Sequence, residues 1–338
     1  MPVDLKPLAT QNRILFAIRL RPVQGHRFQP TGFPSLGAAT YQTPDGPSLL
    51  VESAQSLANR LELTCWDEAR KAPVAAVEGI SHVRVERNGK FLTDSILEAH
   101  RINSPYLLEG KDKTFFNQLK KSLGGLEEGP INRTLLAQTL LEYDIGSLLH
   151  GAFLAKKELA GGRLRIARAL SAFIEADQVQ VAASGGVKND HVNPSGETKA
   201  GFGNVPFARD EYTARAITLY ANLDLAQLRG YGLGPSPTDL LTLLGLYKLR
   251  ALLDGHLRLR TACDLEPVER DFVATRPDGF VLPTLSALEP ALRTAIDACK
   301  GQMKVTIVAF DDSLKKAKDT PLADDSASAD DNASDDGG

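Results

Sequence analysis

An α+β fold is predicted by three observations on this 338-residue chain. Short strand-like runs alternate with helical ones from end to end. Hydrophobic residues at 43% and charged residues at 24% are ordinary for a packed globular body. An Asn88-Gly89 pair between two alternating runs marks a tight hairpin. The length allows one large domain or two ordinary ones. No stretch approaches the ~18 apolar residues that span a bilayer, and MPVDLKPLATQNR lacks the basic-then-apolar pattern of a secretion signal. Cys65, Cys263 and Cys299 stand far apart, which suggests neither a disulfide framework nor a zinc site. A cytoplasmic protein with no membrane contact is the simplest expectation.

Arg13–Arg21 (RILFAIRLR) is predicted as a strand. Ile14, Phe16, Ile18 and Leu20 fall on one face, and Arg13, Leu15, Ala17, Arg19 and Arg21 on the other. A Gly/Pro loop over 22–47, carrying Arg27, Phe28, Phe33 and Tyr41, leads to a strand at 48–52 and a helix over 53–71. Residues 81–94 (SHVRVERNGKFLTD) form the hairpin. Helices are predicted at Ser95–Arg101, Thr114–Leu123 and Arg133–Tyr143. Ser147–Lys156 suits strand or helix, and Gly151 tilts it toward a strand. Leu164–Ala176 reads as a helix and Gln178–Ala183 as a strand. Ser184–Asp210, dense in Gly, Asn and Pro and without periodicity, is predicted as a long projecting loop, a length that usually signals function or disorder. Glu211–Leu225 returns to strand, and Pro237–Leu253 is an amphipathic helix. His256–Cys263 is a strand, Leu285–Cys299 a helix and Lys304–Phe310 a closing strand. A ferredoxin/RRM-like sheet with helical insertions accommodates this order.

The formal net charge of −3 hides a division. Seven aspartates and no basic residue lie between Asp319 and Gly338, so residues 1–318 carry +4. The chain therefore divides into one domain, 1–318, and a low-complexity acidic tail, 319–338. That tail has too few apolar groups to offset its ordering entropy and is predicted to be disordered. It reads as a solubilising extension, or as an acidic group that discourages non-specific nucleic-acid binding. The body is only mildly basic, so any nucleic-acid site must be local.

The first sixty residues supply the clearest candidate chemistry. Arginines on a solvated strand face (Arg19, Arg21), a basic-aromatic loop (Arg27) and amide or guanidinium groups at a helix start (Gln55, Asn59, Arg60) suit an extended phosphate chain. Gln55 and Asn59 are four apart and share a helical face. Each group also has an ordinary explanation: a solvated edge, a surface ion pair of Arg60 with Glu52 or Glu62, or helix capping. Other chemistry finds little support. Gly230–Gly234 is followed by Pro-Ser-Pro instead of a helix-opening glycine, and no GxxxxGK[ST] or GxSxG occurs, so no cofactor is expected. The six histidines are scattered without metal-ligand spacing. Ala200–Phe207 (AGFGNVPF) matches much of an RNA-stacking strand signature, but Pro206 cannot sit in a central strand.

RFQPTGFPSLGAATY, LLVESAQSLANRLE, ILEAHRINSPYLL, SLLHGAFLAKKE and LDLAQLRGYGLG together resemble one family. This is the RAMP-superfamily backbone subunit (Cas-seven-like, Csb family) of type I-U/I-G CRISPR effector complexes of the Cascade kind. The resemblance runs from about Arg13 to Phe310 and leaves the acidic tail outside. It implies an RRM-like palm with helical insertions and a protruding hairpin thumb, for which 184–210 is the candidate. It also implies several copies stacked head-to-tail along one CRISPR RNA, which presents that RNA for pairing with a target DNA strand. Other effector subunits, a large subunit and an end-capping RAMP subunit, are the further partners. Palm contacts would come from Arg19, Arg21, Arg27, Gln55, Asn59 and Arg60, thumb contacts from Lys188, Asn189, Lys199 and Arg209, and a second clamp from Arg229. The expected role is non-catalytic. The alternative is a metal-independent endoribonuclease that processes precursor RNA through His26 or His191, or, as in some related subunits, cutting through an acidic loop residue such as Asp190.

Overall fold

The computed structural model describes residues 3–33, 37–124, 130–255 and 257–312. The acidic tail, 319–338, and His256 lie outside the described residues. Helices and strands are mixed along the chain, and the largest sheet is antiparallel throughout.

That sheet has seven strands. From one edge to the other they are Arg258–Arg260, Cys263–Pro267, Arg13–Pro22, Ala216–Asp224, Leu170–Asp177, Gly46–Glu52 and Thr40–Thr43. The predicted first strand is present, and its alternation decides which side faces the core. Ile14, Phe16, Ile18 and Leu20 are buried while Ala17, Arg19 and Arg21 are exposed. Its register with Ala216–Asp224 (Ile14 opposite Leu223, Ile18 opposite Leu219) puts the apolar residues of both strands on one face. Numbered by their place in the chain, the second to fifth strands of this sheet read fourth, first, third, second. The helix Ala54–Leu63 lies between the first and second of these in sequence, and the helix Pro235–Gly255 between the third and fourth.

Pro235–Gly255 is apolar nearly all round, which is what a helix packed on several sides requires. It packs against Ala54–Leu63, Ile145–His150 and the C-terminal helix Leu285–Cys299. A second sheet of three strands holds the Asn88-Gly89 hairpin. His82–Arg87 pairs with Lys90–Asp94, and the closing strand Val305–Ala309 runs parallel to His82–Arg87. Asn88 and Gly89 have φ of 50° and 67°, the left-handed pair that a tight two-residue hairpin needs.

Several expectations fail for local reasons. Leu164–Ala176 is not a helix but two strands, Leu164–Ile166 and Leu170–Asp177, the second lying inside the main sheet. Its period is two: Leu170, Ala172, Ile174 and Ala176 are buried and the residues between them are half-buried. Helix 53–71 stops at Leu63: Thr64 caps it with its hydroxyl on the Leu61 carbonyl, a short strand Trp66–Asp67 follows, and the Asp67 carboxylate then accepts from the amides of Ala69 and Arg70 in a turn. Ser95–Arg101 makes turns and not a helix; Arg101 sits at φ 50°, which sends its side chain inward. Ser147–Lys156 is divided by Gly151 (φ 81°) into the end of a helix, Ile145–His150, and a short strand, Ala152–Leu154. Glu211–Leu225 breaks at Ala214-Arg215 into two strands.

The segment predicted as a loop at 184–210 is largely a ribbon. Gln180–Lys188 pairs along its whole length with Val205–Thr213, and this two-stranded arm leaves the main sheet between Leu170–Asp177 and Ala216–Asp224. Gly185 and Gly186 hid the strand from periodicity. Pro206 is tolerated because a two-stranded ribbon consists only of edges.

Candidate nucleic-acid interface

Three arginines line the outer face of Arg13–Pro22. Arg13 approaches Asp224 at 3.7 Å, its register partner on the next strand. Arg21 donates Nε–H and Nη2–H to Glu266 Oε1 at 2.9 and 2.8 Å across the other neighbour. Arg19 stands opposite Thr218, is exposed and, among the described residues, has no side-chain partner.

Where this strand ends, its loop folds back and builds a cleft of about 430 Å³. Residues 22–27 form one wall, Glu211 of the arm another, and Arg258 with the Thr261-Ala262 turn the third. The walls are fastened by backbone bonds. Phe28 and Tyr212 exchange N–H···O bonds at 2.9 and 2.8 Å, Val23 N–H donates to Asp264 O at 2.9 Å, and Gln29 N–H donates to Ala262 O at 2.8 Å. Phe28 is fully buried beneath them. Glu211, itself buried, collects two arginines: Arg209 donates Nε–H and Nη2–H to Oε1 at 3.0 and 2.6 Å, and Arg27 Nε lies 3.6 Å from Oε2. Residues expected on separate parts, Arg27 on the palm and Arg209 on the arm, therefore meet on one carboxylate. Of the charged residues lining the cleft, Arg27 and Arg258 balance Glu211 and Asp264, while Arg209 reaches Glu211 from beyond the lining; His26 also lines it. Its volume falls in the range of small-molecule sites.

The helix residues separate. Ser53 caps Ala54–Leu63 by accepting from the Ser56 amide at 3.2 Å. Gln55 donates to Asn59 at 3.5 Å and accepts from Arg168. Arg60 turns inward instead: it donates Nε–H to Glu52 at 2.9 Å and Nη2–H to the Leu259 carbonyl at 2.6 Å. Glu52 is buried and also accepts from Arg260 and Ser56. Arg60 thus ties the helix to the sheet edge. Arg229 donates to the Gln11 carbonyl at 2.7 Å, tying the helix Leu225–Gly230 to the N-terminal segment.

Lys188, Asn189 and Lys199 are exposed at the far end of the arm. The tip is organised by Asp190, whose carboxylate accepts from the amides of Val192, Asn193 and Gly203, each at 2.9 Å. Those backbone bonds hold its pKa below the usual value. Gly203 sits at φ 82°, where a Cβ would lie 2.4 Å from the Gly196 carbonyl oxygen. His191 is exposed beside this turn, at the opposite end of the arm from the cleft and His26.

A second set of charges is sealed inside. Glu62 meets Arg101 at 2.8 Å, and the Lys248 ammonium meets His150 Nε2 at 3.0 Å. Burial pushes the Glu62 and Asp144 carboxyls up and the His150 imidazole well down, the charges of Lys248 and Arg101 adding to the latter. All are buried, so the cluster knits helices together and faces no ligand. Among the described residues no three His, Cys, Asp or Glu side chains gather as a metal site, and no helix is long and apolar enough to cross a membrane.

Arg258 and Arg168 also lie at these surfaces, although neither is among the contacts expected from the sequence. Arg258 is one arginine of a short basic strand, and Arg168 falls in the segment read as helix.

Residues 14–181 match the model of the family described as CRISPR-associated protein GSU0053. No curated protein matches the sequence. Among solved structures, the chain is similar to one in "CRISPR RNA-guided surveillance complex, pre-nicking", with 14% identity over 75% of each chain and a TM-score of 0.38. It is also similar to Thermofilum pendens Csc2, with 11% identity, 89% of this chain and 79% of that chain covered, and a TM-score of 0.32. Neither likeness is close enough to transfer a contact.

Proposed function

We propose, from the premise that residues 14–181 belong to the GSU0053 family of CRISPR-associated proteins, that the chain is a non-catalytic backbone subunit that binds CRISPR RNA. Several copies stack head-to-tail along the guide and present it for pairing with a target DNA strand. They assemble with a large subunit and an end-capping subunit in the cytoplasm. The observation that carries this reading is the cleft at the root of the arm, lined by Arg27 and Arg258, with Arg209 joining Arg27 on the Glu211 carboxylate. A guide of any sequence has to be held by its phosphates and sugars, leaving base edges free. Guanidinium groups in a cleft do this without reading bases. The fourth-first-third-second strand order supports an RRM-like palm, and the arm is the candidate thumb. An arm that reaches a neighbouring copy makes a heterologous, non-closing contact, and repetition of such a contact yields a filament that can follow an RNA.

The test is co-expression with a CRISPR array, then sizing and sequencing the copurifying RNA. A ladder of protected guide lengths supports the reading, and protein free of RNA refutes it. Incubating the purified chain with labelled precursor RNA in EDTA tests the endoribonuclease alternative, because site-specific cleavage would replace the scaffold role.

A further inference from the structure

On the sheet face opposite the core, the three middle strands assemble a row that the arginine cleft does not use. Ala17, Tyr220 and Phe173 stand directly opposite one another on Arg13–Pro22, Ala216–Asp224 and Leu170–Asp177. The Phe173 and Tyr220 rings stack at 5.4 Å between centroids and 30° between planes, and both are half-buried, with part of each ring exposed. Ala17 beside them is exposed and too small to fill its place in the row. The adjacent row runs Arg19, Thr218, Glu175. Glu175 lies near Tyr41 of the edge strand Thr40–Thr43, where burial first and this carboxylate second push the Tyr41 hydroxyl pKa up. On the first strand the flanking arginines are matched by Asp224 and Glu266, whereas Arg19, next to the aromatic pair, has no carboxylate partner among the described residues.

We propose that this platform stacks an unpaired base of a single-stranded nucleic acid, with the ring filling the gap over Ala17 beside Tyr220 and Phe173 and Arg19 taking the adjoining phosphate. A cross-strand aromatic pair by itself only stabilises a sheet. An aromatic pair on an open face, next to a vacant small position and an unmatched cation, has the composition of a base-stacking surface. It lies along the same strand that enters the cleft at Pro22, about 10 Å from Arg19 at ~3.4 Å per residue, so one strand of nucleic acid can engage both. Stacking tolerates any base, which suits a guide of arbitrary sequence. The inference rests on the RNA-binding role proposed above and adds a second contact chemistry to it.

The experiment uses the full chain and a fluorescein-labelled single-stranded RNA of mixed sequence, the same strand made abasic, and its DNA counterpart. Phe173→Leu with Tyr220→Leu keeps apolar area in the sheet and removes the rings, while Tyr220→Phe keeps the ring. The double leucine variant loses roughly five- to a hundredfold in affinity for intact RNA. It keeps wild-type affinity for the abasic strand and the same salt slope, and Tyr220→Phe binds like wild type. The larger loss, on RNA or on DNA, identifies guide or target as the source of the base. Wild-type affinity of the leucine variant for intact strands overturns the platform alone; a wild-type chain that binds no strand overturns the RNA-binding role with it. If the leucine variant does not fold, photo-crosslinking of the wild-type chain to 4-thiouridine RNA decides. Adducts at Phe173 or Tyr220 support the platform, and their absence overturns it.

Discussion

Arg60→Ala separates an arginine that holds the protein together from one that holds its ligand. The Arg60 side chain is 25% exposed and that of its partner Glu52 only 1%. Replacement removes the 2.9 Å bond to Glu52 and the 2.6 Å bond to the Leu259 carbonyl. Orphaning a buried charge completely costs about 3–5 kcal/mol, but Glu52 retains Arg260 and Ser56. The expected loss is therefore nearer to that of one charge-assisted hydrogen bond, about 2–3 kcal/mol. At ~2–4 °C per kcal/mol the melting temperature falls by roughly 5–10 °C. Circular-dichroism melts of wild type and variant, alongside RNA binding at several salt concentrations below the melting range, check this. The slope of log K against log salt is expected to stay unchanged, because Arg60 already spends its donors on Glu52 and the Leu259 carbonyl. A variant that melts like wild type but loses about one unit of salt slope refutes the reasoning and returns Arg60 to the RNA surface.

The remaining predictions concern the cleft, the arm and the buried cluster. Arg27→Ala with Arg258→Ala weakens RNA binding equally across guide sequences and lowers the salt slope by about one for each phosphate no longer neutralised, with little change in stability because Arg27 is more than half exposed; anisotropy titrations measure both. Asp190→Ala frees the three amides that its carboxylate now satisfies, so hydrogen exchange accelerates at 190–204 while the main sheet stays protected. His150 is held neutral, its pKa well below 6.5. The unfolded chain takes up a proton below about pH 6.5 that the folded chain refuses, so stability is whole above that pH and falls below it, by at most ~1.4 kcal/mol per pH unit. His150→Gln removes this slope, which urea midpoints on either side of about pH 6.5 detect. Glu62 and Asp144, raised by burial, act in the opposite sense at lower pH and do so in both proteins.

Much of the frame was legible where one period dominates. Arg13–Pro22, Leu285–Cys299 and the Asn88-Gly89 hairpin all carry their own signals. Leu170–Asp177 was not legible, because Ala172 and Ala176 suit a helix as well as a strand and only pairing on both sides makes it a strand. That misreading also hid Phe173, since on a helix it has no reason to lie beside Tyr220. For the arm, Gly185 and Gly186 remove the side chains from which alternation is read. The candidate site was legible in composition and not in partnership. Arg21 and Arg27 were visible, but their carboxylates lie 245 and 184 positions away in the chain and only the fold brings them together, whereas the Arg60 pair with Glu52, eight positions apart, was already among the readings.

Two buried glutamates show what partnership decides. Glu52 and Glu211 each gather a pair of arginines from separate elements. Around Glu52 the guanidinium groups are 25% and 24% exposed, and Arg60 and Arg260 spend further donors on the Leu259 and Gln29 carbonyls. Around Glu211 they are 56% and 38% exposed, and Arg27 and Arg209 have no other partner among the described residues. A guanidinium has five N–H donors, and a carboxylate engages two of them at most. The first pair therefore has little left for a ligand, while the second keeps unspent donors: Arg27 lines the cleft with its Nε 3.6 Å from Glu211, and Arg209 is oriented by two bonds to Oε1. Fixing Arg209 in advance lowers the side-chain entropy lost when an anion arrives. The same motif of one acid and two arginines uses up its donors as a strut where it faces the core and leaves donors unspent where it faces solvent.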